Sequence, residues 1–376
     1  MRKRLPGLLA IGAVLLTASL IGFKARYGGA TIPFPKRAEL PLLTPPSVEM
    51  VAELEEPPGN IAVSKDGRVF VNLHPEARPS RNVVEIVNGK ATDWPHPHER
   101  LLDGTFSLRI DARGWLWALS PGFHGLRGAR LVAFDLASRR LMHRWDIPRP
   151  IAGWGSYVQD FQLSPDGRYV FLADVSALAK RPALIVYDTR TRHARRVLER
   201  DPSVTDRPYL IRAKGRDMVL LGGLYVMHPA VDTIAIDDAG EWLYYGPMSH
   251  KKLFRVRTSD LADASLSAPA LSARVEAYGP KPQTDGATMD HAGNIYLAEV
   301  ESASIAVLGP DRKLRTLVRD PRWRWPDGLS FGAADWLYVT DSAIPEIMMR
   351  TPGHIRRQAP YYVYRLRTGS PGTAGH

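Results

Sequence analysis

Between Asn60 and Asp341 the chain repeats one pattern six times: a polar residue, a short apolar run, a turn, and a second run rich in apolar and aromatic residues. The copies are NIAVSKDGRVFVNL from Asn60, SLRIDARGWLWAL from Ser107, DFQLSPDGRYVFLAD from Asp160, DTIAIDDAGEWLYYG from Asp232, DGATMDHAGNIYLAE from Asp285 and DGLSFGAADWLYVTD from Asp327. Alternating runs across a D-G or A-G turn predict β-hairpins. The leading polar residues are spaced by 47, 53, 72, 53 and 42 positions, close to the ~40–50 residues of a four-stranded propeller blade. Third strands follow from Asn82, Ala129, Ala183, Lys252 and Ser304. Long amphipathic helices are missing, which speaks against an α/β fold. The expectation is an all-β, six-bladed β-propeller over 48–376, with a pair of β-sandwiches as the competing arrangement. YYVYRLRT from Tyr361 and VEMVAEL from Val48 are the candidates to close the ring, and the extra chain after Leu198 predicts a loop over one face.

Ahead of the repeats, Arg2-Lys3-Arg4 precedes an uncharged stretch of 19 residues, Leu5 to Phe23, followed at once by Lys24 and Arg26. As a helix it would reach roughly 28 Å, near the ~30 Å of a hydrocarbon core. Residues 1–27 therefore read as a transmembrane signal anchor, or as a signal peptide cleaved near Thr17-Ala18-Ser19; both export the rest. The expected location is periplasmic or extracellular, with the membrane a partner through the N-terminal segment. Residues 28–47, with Pro33, Pro35, Pro41, Pro45 and Pro46, read as an extended linker.

The net charge of +11 first suggests nucleic acid, but seven Lys and Arg against Glu39 alone sit in residues 1–47. The run from Arg190 to Arg200 lacks interleaved aromatics and reads as a solvated face, so no nucleic-acid partner is expected. Absence of Cys excludes disulfides, thiolate metal sites and a Cys nucleophile. HExxH, GxSxG, a P-loop and GxGxxG are all absent; Ser249 to Lys252 fits S-x-x-K only formally.

In a propeller the first strand of each blade lines the channel, so Asn60, Ser107, Asp160, Asp232, Asp285 and Asp327 would form a ring. Convergent carboxylates raise one another's pKa and invite a cation. Oxygen ligands favour Ca²⁺, Mg²⁺ or Mn²⁺, calcium first, held by Asn60, Asp160, Asp232 and Asp285. Alternatively, each Asp caps its own loop. His74 and His250 follow second strands, where a channel mouth would be, and are candidate ligand contacts. His96-Pro97-His98 is a weaker metal candidate. Asp66, Asp166, Asp238 and Asp290 read as hairpin chemistry, and the strand Trp and Tyr residues as blade packing.

VDTIAIDDAGEWLYYGPMSHKKLFRVRTSDL (231–261), TDGATMDHAGNIYLAEVESASIAVL (284–308) and DPRWRWPDGLSFGAADWLYVTDS (320–342) resemble the major royal jelly protein/yellow family, and GNIAVSKDGRVFVNLH (59–74) resembles its bacterial branch. The resemblance implies a six-bladed propeller and, from members that hold small amines in the channel, a small-molecule ligand. The family's disulfides are missing. More distantly the chain is similar to gluconolactonase and paraoxonase propellers, which hold a divalent metal on the channel axis. Asp285 matches their metal-binding Asp, whereas Asp232 falls where they have Asn and Asn60 where they have Glu. Two functions follow as expectations: a binding propeller, or a metal-dependent lactone or ester hydrolase with Asp232 or Asp285 activating water.

Overall fold

The structure, a computed structural model, describes residues 5–94 and 99–376. The His96-Pro97-His98 candidate lies outside them. Six four-stranded antiparallel sheets follow one another along the chain. Blade 1 runs Pro58–Val63, Val69–Leu73, Val83–Val87 and Lys90–Asp93 from the axis outward, and blades 2 to 5 begin at Ser107, Val158, Val231 and Thr284. Blade 6 joins both ends of the repeat: Pro326–Phe331, Trp336–Asp341 and Tyr361–Arg367 are completed by Glu49–Leu54, paired antiparallel from Glu49↔Arg365 to Leu54↔Tyr361. The two segments expected to close the ring do so together, which excludes the sandwich pair.

Each inner strand starts at the same end of the channel, here termed the mouth face. Its hairpin turn lies at the far end. The segments joining second to third strands, and each blade to the next, therefore all lie on the mouth face. Alternation puts apolar side chains on both faces of each sheet, and six buried clusters fill the six gaps between blades. Blades 2 and 3, for example, share Trp117, Leu131, Phe161, Leu172 and Tyr187. Each such side chain contributes about 1.5–3 kcal/mol on burial.

The turn acids behave as hairpin chemistry predicts: Asp166 accepts from Ser164 Oγ at 2.6 Å and Asp290 from the Asn294 amide at 2.8 Å. Asp238 differs, bonding His291 and, at 2.7 Å, Thr373. Within the basic run, Arg196 is not solvated but half-buried, pairing with buried Asp174 at 2.6 Å.

The inner strands approach so closely that two D-G pairs become intelligible. A Cβ on Gly328 would sit 2.7 Å from the Asn60 Cα, and one on Gly286 would collide with the Asp327 carbonyl oxygen. Gly328→Ala is expected to cost about 1–3 kcal/mol through overpacking, read as a lower denaturant midpoint with an unchanged slope.

A helix spans Leu5–Tyr27. Among the described residues no helix is long and apolar enough to cross a membrane. The helix meets the mouth face at its C-terminal end, where Tyr27 Oη donates to Leu178 O at 2.7 Å and Arg26 donates to Ala179 O at 3.0 Å. The Pro-rich stretch is extended but held: Ile32–Pro33 pairs in parallel with Tyr209–Leu210, and Leu43 bridges to Val318. The extra chain after Leu198, expected as a loop over one face, forms short ribbons, Arg212–Ala213 with Arg216–Asp217 and Val219–Leu220 with Tyr225–Val226, and that face is the mouth face. At the far end the last residues cross the channel. Gly375 O and His376 O accept from Ile110 and Phe331 amides at 3.0 and 2.9 Å, and His376 Nδ1 lies 3.0 Å from Gln162 Oε1.

Candidate functional site: the channel mouth

The repeat brings its leading polar residues together. Asn60, Asp160, Asp232, Asp285 and Asp327 line one small space at the axis, beside His74, Phe106 and Gln159. Ser107 belongs to the same layer through its hydroxyl, which donates to Asp160. The ring then divides into two unlike halves.

The first half is closed by Arg109, a residue the repeat pattern did not single out. It lies two positions after Ser107, so alternation turns it to the same face of the inner strand. Its Nη2 reaches Asp160 Oδ2 at 2.8 Å, and its Nη1 reaches Asn60 Oδ1 at 3.0 Å and Leu108 O at 2.7 Å. Arg109 is 1% exposed. Burial raises the Asp160 pKa, and the guanidinium charge opposes that rise. Asp160 also accepts from the Phe161 amide, the local capping considered for the Asp residues, and Asn60 accepts from the Ile61 amide in the same way.

The second half is an acidic cluster. Asp232 accepts from Gln159 Nε2 at 3.3 Å and Asp285 from Trp325 Nε1 at 2.6 Å. Burial, then the charges of Asp285, Asp160 and Asp327, hold Asp232 well above the usual carboxylate range. Asp327 is raised in the same way, by burial and then Asp285, and burial pushes Asp285 up to about 6. The cation facing them is Lys281, buried between two prolines, its ammonium donating to Met248 O and Pro282 O at 3.1 and 2.9 Å. Burial lowers Lys281 to about 7, against the raising effect of Asp232 and Asp285. Its loop sequence, GPKPQTDG, carries no signal of this role.

Above the acidic cluster opens a cavity of about 260 Å³, with Asp285 and Asp327 on its lining. Its wall is mainly aromatic and aliphatic, with the charged side chains of Glu76 and Lys180 also on the lining. His74 meets Phe106 edge-on at 5.0 Å, Phe106 meets Tyr157 at 5.3 Å, and His124 stacks on Tyr157 at 4.4 Å. Tyr225 and Met227 from the inserted ribbons and Ile344 and Met348 from the segment before Tyr361 complete it, and Phe23 of the N-terminal helix stands at its rim. Burial drives His74 down to about 3, so it stays neutral, with Nδ1 accepting from the Glu76 amide.

Two sequence-based candidates meet a different geometry here. His250 does not line this cavity; its Nδ1 accepts from the Lys252 amide at 2.9 Å and its ring packs on Phe254. It caps its own loop. The metal set Asn60, Asp160, Asp232 and Asp285 does not fit a cation as arranged, because Arg109 already takes the oxygens of Asn60 and Asp160. Among the described residues no three His, Asp or Glu side chains are grouped so as to hold a metal ion.

The same architecture occurs in solved structures. A luciferin-regenerating enzyme superposes with a TM-score of 0.56 at 12% identity, covering 87% of this chain and 97% of its own. A calcium-binding regucalcin from Agrobacterium tumefaciens gives 0.54 at 13%, covering 92% and 97%. A gluconolactonase from Xanthomonas campestris gives 0.52 at 14%, covering 86% and 89%. At such identities the likeness speaks for the fold alone. No curated protein sequence matches the chain. The family model described as major royal jelly protein matches residues 104–361, from the end of the first blade to the closing strand, and the chain thus belongs to the major royal jelly protein family.

Proposed function

We propose that this protein is an exported, membrane-tethered propeller that binds a small organic amine at its channel mouth. One observation carries the reading: a cavity with an aromatic wall whose lining includes Asp285 and Asp327, next to Asp232. Such a site suits an apolar body attached to an ammonium group. The aromatic faces favour the cation's flank, and the carboxylates, crowded and buried, gain most from a positive charge that relieves their repulsion. Asp285 is the anchor and Asp232 and Asp327 supply field; Lys281 sets how much negative charge is left over. Ser107, Asn60 and Asp160 act with Arg109 as the rigid half of the ring.

The pH dependence follows in sign. An ammonium binds the ionised cluster, so affinity rises as Asp285 loses its proton near 6 and again as Lys281 loses its charge near 7. Calorimetric titration with tryptamine should show tightening from pH 5.5 to 8, while tryptophol, which keeps the ring and lacks the charge, should bind poorly throughout. Equal binding of both, or binding that requires added calcium, would overturn the proposal.

A further inference from the structure

Three neighbouring loops of the mouth face, 121–129, 147–157 and 175–182, contain Arg127, Arg149, Lys180 and Arg181 and no Asp or Glu. Their tips expose large apolar side chains: Phe123 is 64% exposed, Leu126 62% and Trp154 66%. The loops are tied into one surface, since the Gly155 amide donates to His124 O at 2.9 Å and the Ala179 amide to Gly155 O at 3.2 Å. The carbonyls of Leu178 and Ala179, in the third loop, receive Tyr27 and Arg26 from the N-terminal helix. The patch is thus continuous with the helix end. Every side chain of that helix from Gly12 to Gly22 is exposed, including Val14, Leu15, Leu16 and Ile21.

Those side chains have no protein partner among the described residues, and a cationic-aromatic patch adjoins the point where the helix leaves the propeller. Trp favours the headgroup level of a bilayer, Phe and Leu bury at the boundary with the acyl chains, and Arg reaches from there to phosphate. Near an anionic surface each Lys or Arg contributes about 1 kcal/mol. Arg127 and Arg149 are exposed and, among the described residues, in no ion pair, so their charge is free for such contacts.

We infer that Phe123, Leu126 and Trp154, with Arg127 and Arg149, dock on an anionic lipid bilayer beside the entering helix, so that the channel mouth faces the membrane. This rests on the tethered reading of the helix and is independent of the amine ligand.

Trp154 makes the inference testable, because the other eight Trp residues are buried or half-buried. The full chain is reconstituted in phosphatidylcholine/phosphatidylglycerol vesicles, with and without brominated acyl chains, beside Trp154→Phe. Bromolipid should quench a component of the fluorescence that Trp154→Phe lacks, and aqueous acrylamide should not reach that component in vesicles. A chain that floats with the vesicles while Trp154 stays open to acrylamide and untouched by bromolipid overturns the docked face and leaves the anchor standing. A chain that does not float, or whose helices pair copies together in solution, overturns both. Tryptamine titration of Trp154→Phe, a residue outside the cavity lining, reports separately on the ligand site.

Discussion

Arg109→Ala is expected to lower the folding stability by about 3–5 kcal/mol, among the largest losses available to one substitution here. Arg109 and Asp160 have side chains 1% and 8% exposed, so water cannot replace the guanidinium. Removing it leaves a buried carboxylate without its cation and takes a donor from Asn60. The carboxylate can escape only by taking up a proton. In the variant the folded pKa of Asp160 then lies further above its unfolded value. A raised carboxyl pKa favours the folded state at low pH and loses that contribution as pH climbs through it, so the deficit should shrink toward pH 5. Adding Asp160→Asn should recover part of the loss at pH 7.5, because an amide still accepts from Phe161 and Ser107 without needing a counter-ion. Urea unfolding of wild type, Arg109→Ala and the double variant at both pH values checks this. A deficit independent of pH would mean that Arg109 matters through packing alone.

Asp327→Asn is expected to do two opposite things. It should stabilise the free protein at neutral and higher pH, since Asp327 is buried and raised by its neighbours. The sign follows from linkage: a raised folded pKa gives stability in acid that is lost as pH rises through it, and Asn removes that loss. Wild type and variant should therefore converge toward pH 4 and separate above it in thermal unfolding. Affinity for tryptamine should fall about 10-fold, roughly 1.4 kcal/mol, as the cavity loses the field of one of its two lining carboxylates. Asp285→Asn should act likewise, with its divergence centred between about 3.8, the ordinary value, and about 6. If either variant bound the amine as tightly as wild type, the acidic cluster would not be the cation's partner.

The propeller was legible because a blade is a local object. Each hairpin announces itself by alternation and a turn, and six copies at blade spacing leave little choice of architecture. The ring of leading residues was legible for the same reason, as equivalence along the sequence became equivalence around the axis. What divides that ring was not. Arg109 sits in a single inner strand, SLRI, where the other copies place Ala62, Gln162, Ile234, Ala287 and Leu329, and a departure from a repeat has no periodic signal. Alternation alone would have put it on the channel side of Ser107. Lys281 lies in a proline-flanked loop whose burial depends on contacts with Met248, distant in sequence. The cavity wall is drawn from the two stretches that do not repeat, the insertion after Leu198 and the segment before Tyr361. His250 was misplaced because a position just past a strand says nothing about where a ring nitrogen finds its donor.

The tail across the far end of the channel has a kinetic consequence. It engages five blades, through Ile110, Gln162, Asp238, Asp290 and Phe331, so the channel is a blind well. A ligand must leave by the route it came. Whatever narrows that shared passage at the rim without touching the bound guest, as Phe23 is placed to do, slows arrival and departure by the same factor and leaves the equilibrium constant where it was. Residence time and affinity are thereby separable in this molecule: the rim sets how long a guest stays, and the carboxylates set how many sites are filled.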